Sequence, residues 1–116
     1  MSNSTIKQLI TKARNAQATI NEYSQEQVDE LILAVAWEVI KPENNQSLSE
    51  LAVKTTGLGN VEDKKRKNTR KTIGLLRDLK NTKTVGIIHQ DDEEGLIEIA
   101  RPVGVVGAIV PSTNPI

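Results

Sequence analysis

The strongest constraint on the fold is a short apolar stretch near the end of the chain, residues 104–110, followed by a polar turn. The stretch carries no charge and several β-branched side chains, a pattern typical of a strand buried on both faces of a parallel sheet. Pro111 ends the strand because proline has no N–H to donate to a ladder. The polar residues that follow favour a helix start, since Ser, Thr and Asn cap helices and proline suits the first helical position. In open α/β sheets, ligands bind beyond the carboxyl ends of such strands.

Two helices are predicted at the start of the chain. Apolar side chains recur at helical spacing over residues 6–20, which indicates an amphipathic helix. Ser24 and Gln27 form a capping box that begins the second helix. Pro42 disfavours helical geometry in the residue before it, so this helix should end near Ile40. Its apolar surface is so wide that we expect burial on two sides.

The third and fourth helices are predicted from their end signals. Ser47 is the expected cap of the third helix, which glycine ends at Gly57. The fourth helix runs over residues 61–79 and has a clear apolar stripe only in its second half. Val61 is almost the only apolar anchor of the first half, which should therefore be exposed or held by partners outside this chain.

A β-hairpin is predicted between the fourth helix and the apolar stretch. Residues 84–88 and 96–101 have strand-like patterns, and a polar loop joins them. Four adjacent acids at 91–94 repel one another, so a solvated loop is favoured over a metal site. His89, the only histidine, has no cysteine or serine partner in view and is read as a surface residue. An isolated hairpin is marginal in water, so association with another chain is expected.

Composition excludes several classes of function. Fifteen basic and fifteen acidic residues balance, so the chain lacks the long-range field of a nucleic-acid binder. Six basic residues lie between Lys64 and Lys71; a solvated helix face is favoured, and attraction of cofactor phosphates stays open. No apolar run reaches the roughly 18 residues of a membrane span. No secretory signal is visible, and we expect a cytoplasmic protein.

Several motifs resemble the aldehyde dehydrogenase superfamily. Pro-Val-Gly-Val-Val-Gly at residues 102–107, leading to Pro-Ser-Thr-Asn-Pro at 111–115, resembles the start of that superfamily's nucleotide-binding domain. Hydrolytic members have Trp-Asn-Phe after the first proline, whereas small residues are similar to the CoA-acylating branch. That branch includes acetaldehyde, succinate-semialdehyde and sulfoacetaldehyde dehydrogenases and the aldehyde half of aldehyde-alcohol dehydrogenases. Gly-Asn-Val-Glu-Asp-Lys at 59–64 and Lys-Thr-Val-Gly-Ile-Ile at 83–88 also resemble it.

The resemblance implies an α/β fold in which N-terminal helices and a hairpin lead into the first strand of a Rossmann-like nucleotide-binding domain. It implies a helical part over residues 1–82, an oligomerisation hairpin over 83–102, and a strand and turn over 103–116. The family's nucleophile is a cysteine, and this chain has none. We therefore expect the N-terminal portion of a longer enzyme, inactive by itself, whose parent oxidises a small aldehyde to an acyl-CoA with NAD or NADP and coenzyme A.

Asn114 is the catalytic residue that the resemblance implies for this chain. In the superfamily, an asparagine at this turn donates its side-chain amide to the substrate oxygen, and the alternative role is a simple helix cap. Val110, Pro111, Ser112 and Thr113 are expected to line the cofactor cleft.

Two further expectations concern association. The resemblance implies that the hairpin of residues 84–101 packs on a neighbouring subunit in a homo-oligomer. The first helix is read as a core helix, with a microcompartment-targeting peptide as the alternative. A stand-alone, non-catalytic interaction module stays open for the whole chain; it predicts cooperative folding, whereas a segment of an enzyme predicts exposed apolar surface around residues 104–110.

Overall fold

The computed structural model describes residues 3–115, with side chains from residue 5 onward. The described part contains four helices followed by a two-stranded antiparallel sheet, which confirms the mixed α/β class. The elements are α1 (Asn3–Ile20), α2 (Gln25–Ile40), α3 (Pro42–Thr56), α4 (Val61–Leu79), β1 (Gly86–Asp91) and β2 (Leu96–Ala100). None of the described helices is long and apolar enough to span a bilayer.

Local capping chemistry sets several helix ends. The Ser24 N–H donates to Gln27 Oε1 at 2.9 Å, and the Gln27 N–H donates to Ser24 Oγ at 3.3 Å. This reciprocal pair confirms the predicted capping box. Gly57 adopts φ of 68° and its N–H donates to the Val53 carbonyl, which confirms the predicted end of α3.

The predicted start of α3 is wrong. The helix begins at Pro42, five residues before the expected cap at Ser47. Proline fits here because its fixed φ is already helical and the first turn needs no intrahelical N–H. Glu43 in the first turn is also favourable beside the positive end of the helix dipole.

The chain divides into two compact units. The first joins the N-terminal segment up to Asp29 with Thr82–Gly107; the second joins Glu30–Asn81 with the segment from Ala108 onward. In the first unit, Gln25 Oε1 accepts the N–H of Thr84 at 2.8 Å and of Val85 at 3.1 Å. The start of α2 is thereby fixed to the start of the hairpin. The predicted boundaries of the three parts, after residues 82 and 102, stay predictions. Ile116, the last residue of the predicted strand-and-turn part, lies outside the described residues.

The first strand of the hairpin is shifted along the chain from its predicted position, since it begins at Gly86 instead of residue 84. β1 continues to Asp91, whose carboxylate accepts the N–H groups of Glu93 and Glu94 at 3.0 Å each and closes the turn. Ile87 pairs with Ile99 and His89 with Glu98, so Ile88 forms a bulge. Because cross-strand partners share a face, one face carries three isoleucines that are each more than half exposed: Ile87, Ile97 and Ile99.

The predicted strand over residues 104–110 is not formed within the described chain. These residues have no regular secondary structure, since neither β1 nor β2 pairs with them and a parallel strand needs neighbours on its edges. Their apolar side chains are exposed: Val106 is 72% and Ile109 is 100% accessible. That is the exposed apolar surface expected of a segment that packs within a larger protein.

Burial in the helices also differs from expectation. The wide apolar face of α2 is mostly exposed, with Ala36 its only buried residue and Trp37 57% accessible. The expectation of burial on two sides is therefore not met by the described residues. Conversely, the first half of α4 packs closely: Lys64 and Asn68 are buried, so the expectation of an exposed first half is wrong. Polar contacts with α3 hold it there.

Candidate active-site turn

The candidate site is the turn at residues 111–115. The Asn114 N–H donates to the Pro111 carbonyl at 3.1 Å, which closes the turn. The side chains of Pro111, Ser112, Thr113 and Asn114 are exposed. Small side chains between two prolines leave the turn short and accessible from solvent.

The side-chain amide of Asn114 is held by α4. Lys67 Nζ donates to Asn114 Oδ1 at 2.7 Å, which links residues 47 positions apart. The predicted alternative, a helix cap, requires this oxygen to accept a backbone N–H of the next helix. In the structure the oxygen accepts from Lys67 Nζ, and the residues whose N–H groups it would cap lie outside the described part of the chain, so both roles of Asn114 stay predictions.

Two clefts flank Lys67 in this unit. One, of about 310 Å³, is bordered by Lys67, Lys71 and Asn114. The other, of about 300 Å³, is bordered by Lys64, Lys67 and Thr113, with Gly59 and Asn60 on its far side. Thr113 and Asn114 therefore face different clefts, and Lys67 separates them.

The α4 face below the turn is positively charged. Lys64, Lys67 and Lys71 recur at helical spacing and share one side of the helix. The acids of the first turn are engaged elsewhere, since Glu62 pairs with Lys65 at 3.3 Å and Asp63 pairs with Arg66. Burial, together with the charge of Lys64, lowers the pKa of Lys67 below its ordinary value. Such a face attracts anionic groups.

A buried polar cluster fixes α4 against α3. Asn68 Nδ2 donates to Asn45 Oδ1 at 3.0 Å and to Ser49 Oγ at 3.3 Å. Asn45 Nδ2 donates in turn to the Lys65 carbonyl and to Thr69 Oγ1, both at 3.1 Å. Ser49 has no exposed surface at all. The cluster fixes the rotation of α4, and Lys67, the residue before Asn68, reaches the turn.

The structure brings only part of the predicted site together. Asn114 and Thr113 each border one of the two clefts, whereas Val110, Pro111 and Ser112 border neither. Their cofactor contacts stay a prediction. Lys67 was not singled out as a partner of Asn114, because no local pattern connects positions so far apart.

No protein-family model matches the chain. Individual proteins match it closely. It is 55% identical over 92% of its length to a sulfoacetaldehyde dehydrogenase (acylating) of Cupriavidus necator and 49% identical over 96% to one of Bilophila wadsworthia. It is 43% identical over 96% of its length to a succinate-semialdehyde dehydrogenase (acetylating) of Clostridium kluyveri. The chain spans 22–24% of the length of these three relatives.

A solved structure gives the same result. The crystal structure of an acetylating aldehyde dehydrogenase from Geobacillus thermoglucosidasius superposes with a TM-score of 0.89 at 38% identity. The match covers 97% of this chain and 24% of that one. The predicted resemblance is thereby confirmed: this chain is homologous to a segment, about a quarter in length, of the acylating aldehyde dehydrogenases.

Proposed function

We propose that this chain is the N-terminal portion of a CoA-acylating aldehyde dehydrogenase. The full protein converts an aldehyde, coenzyme A and NAD(P)⁺ into an acyl-CoA, NAD(P)H and a proton. The observation that carries the proposal is identity of 43–55% over more than nine-tenths of the chain to proteins named as acylating or acetylating dehydrogenases. The cysteine that forms the thioester lies outside these 116 residues, which contain none.

Asn114 is the catalytic contribution of this chain. Its Nδ2 group donates a hydrogen bond to the substrate oxygen as negative charge develops there. A neutral amide suits this task because it stabilises the charge and has no proton to lose at working pH. The exposed position of the turn leaves the amide accessible to a substrate held by the rest of the protein.

The chain's residues fit a phosphate-bearing cofactor. The bound nicotinamide dinucleotide supplies the hydride acceptor. Val110, Pro111, Ser112 and Thr113 offer it an uncharged edge, while Lys64 places positive charge in the cleft that Thr113 borders. This lysine stabilises phosphate charge, whether of the dinucleotide or of coenzyme A.

The proposed substrate class is a short aldehyde that carries an anion. Three relatives at 47–55% identity are named for sulfoacetaldehyde, and another for succinate semialdehyde. Lys71, which borders the same cleft as Asn114, suits a sulfonate or carboxylate close to the reacting carbonyl. Sulfoacetaldehyde is therefore the first substrate to assay.

The hairpin is proposed to pack on a second copy of the full protein. Its isoleucine face is exposed within this chain, and a two-stranded sheet without cover is marginal in water. Burial of that face by another subunit would stabilise the hairpin and the contact between the subunits. A cytoplasmic location stays a prediction.

The test is a substrate-dependence assay on the full-length gene product. NADH or NADPH formation is followed with sulfoacetaldehyde, succinate semialdehyde and acetaldehyde, with and without coenzyme A. We expect turnover that requires coenzyme A and is fastest with an anionic aldehyde, and no turnover by the 116-residue chain alone. Rapid oxidation without coenzyme A would contradict the acylating assignment.

A further inference from the structure

We propose that Lys67 is a positioning residue that fixes the orientation of the Asn114 amide, so that its NH₂ group is presented to the substrate. The inference rests on the proposed catalytic role of Asn114. It adds a second residue, on a different element of the same compact unit, whose contribution to the reaction passes entirely through that amide.

The chemistry of the contact with Lys67 determines which end of the Asn114 amide faces the lysine. An asparagine side chain has an acceptor end and a donor end of nearly the same shape, so a partner decides which end points where. Lys67 Nζ lies 2.7 Å from Oδ1, and an ammonium group can only donate. The carbonyl end is thereby bound to α4, and Nδ2 must point away from the lysine. An acidic residue in the same place would bind Nδ2 and turn the carbonyl towards the developing negative charge.

The charge of Lys67 also strengthens the donor. A hydrogen bond from a cation to the carbonyl draws electron density from the amide, which makes its N–H groups more positive. The Asn114 NH₂ group makes no hydrogen bond to the other described residues, so it is available for a substrate oxygen.

Lys67 is well placed to act as a fixed support. Its ammonium group has no carboxylate partner among the described residues, because the nearby acids Glu62 and Asp63 pair with Lys65 and Arg66. The next residue, Asn68, is buried in the polar cluster that locks α4 on α3. A half-buried lysine on a locked helix loses little conformational entropy when it binds the turn.

The experiment is a double-mutant cycle in the full-length protein, with kcat and KM measured for the aldehyde. The variants are Lys67→Met, Lys67→Arg, Asn114→Ala and the Lys67→Met/Asn114→Ala pair. Lys65→Met is the matched control, because it removes the same charge from α4 but Lys65 bonds Glu62 and not Asn114. Thermal unfolding of each variant reports whether the fold is retained.

The proposal predicts that Lys67→Met lowers kcat by roughly tenfold or more. A loss of this size lies within the range of interaction energies between two residues in contact. KM and the unfolding temperature should change little, Lys67→Arg should recover most of the loss, and Lys65→Met should keep the wild-type kcat. In the Asn114→Ala background, Lys67→Met should have an effect below about twofold, because residues that act as a unit are not additive.

Two results would overturn the positioning role and leave the role of Asn114 intact. One is a Lys67→Met kcat within twofold of wild type while Asn114→Ala is strongly impaired. The other is an equal loss from Lys67→Met in both backgrounds, which would show an effect independent of the amide. If Asn114→Ala itself keeps the wild-type kcat, the proposed catalytic role of Asn114 fails instead, so the two failures are distinguishable.

Discussion

The two ends of the Asn114 side chain differ: its oxygen accepts a hydrogen bond from Lys67, and its NH₂ group, which makes no hydrogen bond to the other described residues, is the proposed donor to the substrate. Asn114→Asp keeps the shape and the acceptor but removes the donor. We expect kcat of the full-length protein to fall about 10²–10³-fold, the usual loss for one oxyanion donor. The contact with Lys67 becomes an ion pair, so the unfolding temperature should not fall.

Steady-state kinetics and a thermal melt of the same preparation check this prediction. Asn114→Ala is the companion variant, since it removes both ends of the amide. If Asn114→Asp were as active as wild type, the turn would serve structure and not oxyanion stabilisation.

Asp63 gives a pH-dependent contribution at the start of α4. Hydrogen bonds from Asn60 and then Arg66, with the charge of Arg66, lower the pKa of Asp63 below its ordinary value of 3.8. The folded state therefore binds its proton less tightly than the unfolded state. The stabilisation is fully present above the ordinary value and is lost as pH falls through the lowered pKa.

Hydrogen exchange of the amides in the first turns of α4 tests this contribution. Compared with Asp63→Asn at each pH, the wild type should show extra protection at pH 6 that shrinks below pH about 4. A difference that grows on acidification would have the wrong sign for a carboxylate stabilised in its charged form.

At the scale of elements, the α3–α4 contact depends on buried amides and a hydroxyl. Asn68→Ala removes the donor shared by Asn45 and Ser49 and leaves buried acceptors short of partners. Such a loss costs about 1–3 kcal/mol. Hydrogen exchange in the full-length protein should show that the amides of α3 and α4 are less protected, by the factor in the opening equilibrium that this loss of free energy corresponds to.

Arg70→Ala is the control for this element, because Arg70 lies on the same helix but is exposed. It should change the free energy of local opening by less than about 0.5 kcal/mol. Equal effects of the two substitutions would mean that the polar cluster does not hold α4 in place.

Helix boundaries were predictable where a local pattern determines them. Ser24 and Gln27 identify a capping box within four residues, and Gly57 marks a left-handed helix end. The start of α3 was missed because Pro42 was taken only as the end of the preceding helix. The burial of Asn68 could not be predicted from apolar periodicity, since that signal excludes polar residues from the core by construction.

The candidate site was predictable only at the turn itself. Asn114 was found through the motif that surrounds it, whereas Lys67 lies 47 residues earlier and approaches it through tertiary structure. Residues 104–110 have the apolar pattern of a buried strand. A strand forms only beside hydrogen-bonding neighbours, and β1 and β2 do not pair with these residues.

At the scale of the whole molecule, the exposed isoleucine face of the hairpin predicts association. Ile97→Lys places a charge on that face, so the proposed self-association of the full-length protein should weaken, as measured by analytical ultracentrifugation. Glu98→Lys is the matched control because it introduces the same side chain on the opposite face. Association that is unaffected by Ile97→Lys would exclude the hairpin as the contact.

The central claim is that this segment belongs to an enzyme that transfers an acyl group to coenzyme A. Its most direct test is the mass of the product formed by the full-length protein from sulfoacetaldehyde, NAD⁺ and coenzyme A. We expect one acyl-CoA thioester for each NADH formed. Formation of the free acid in place of the thioester would contradict the claim.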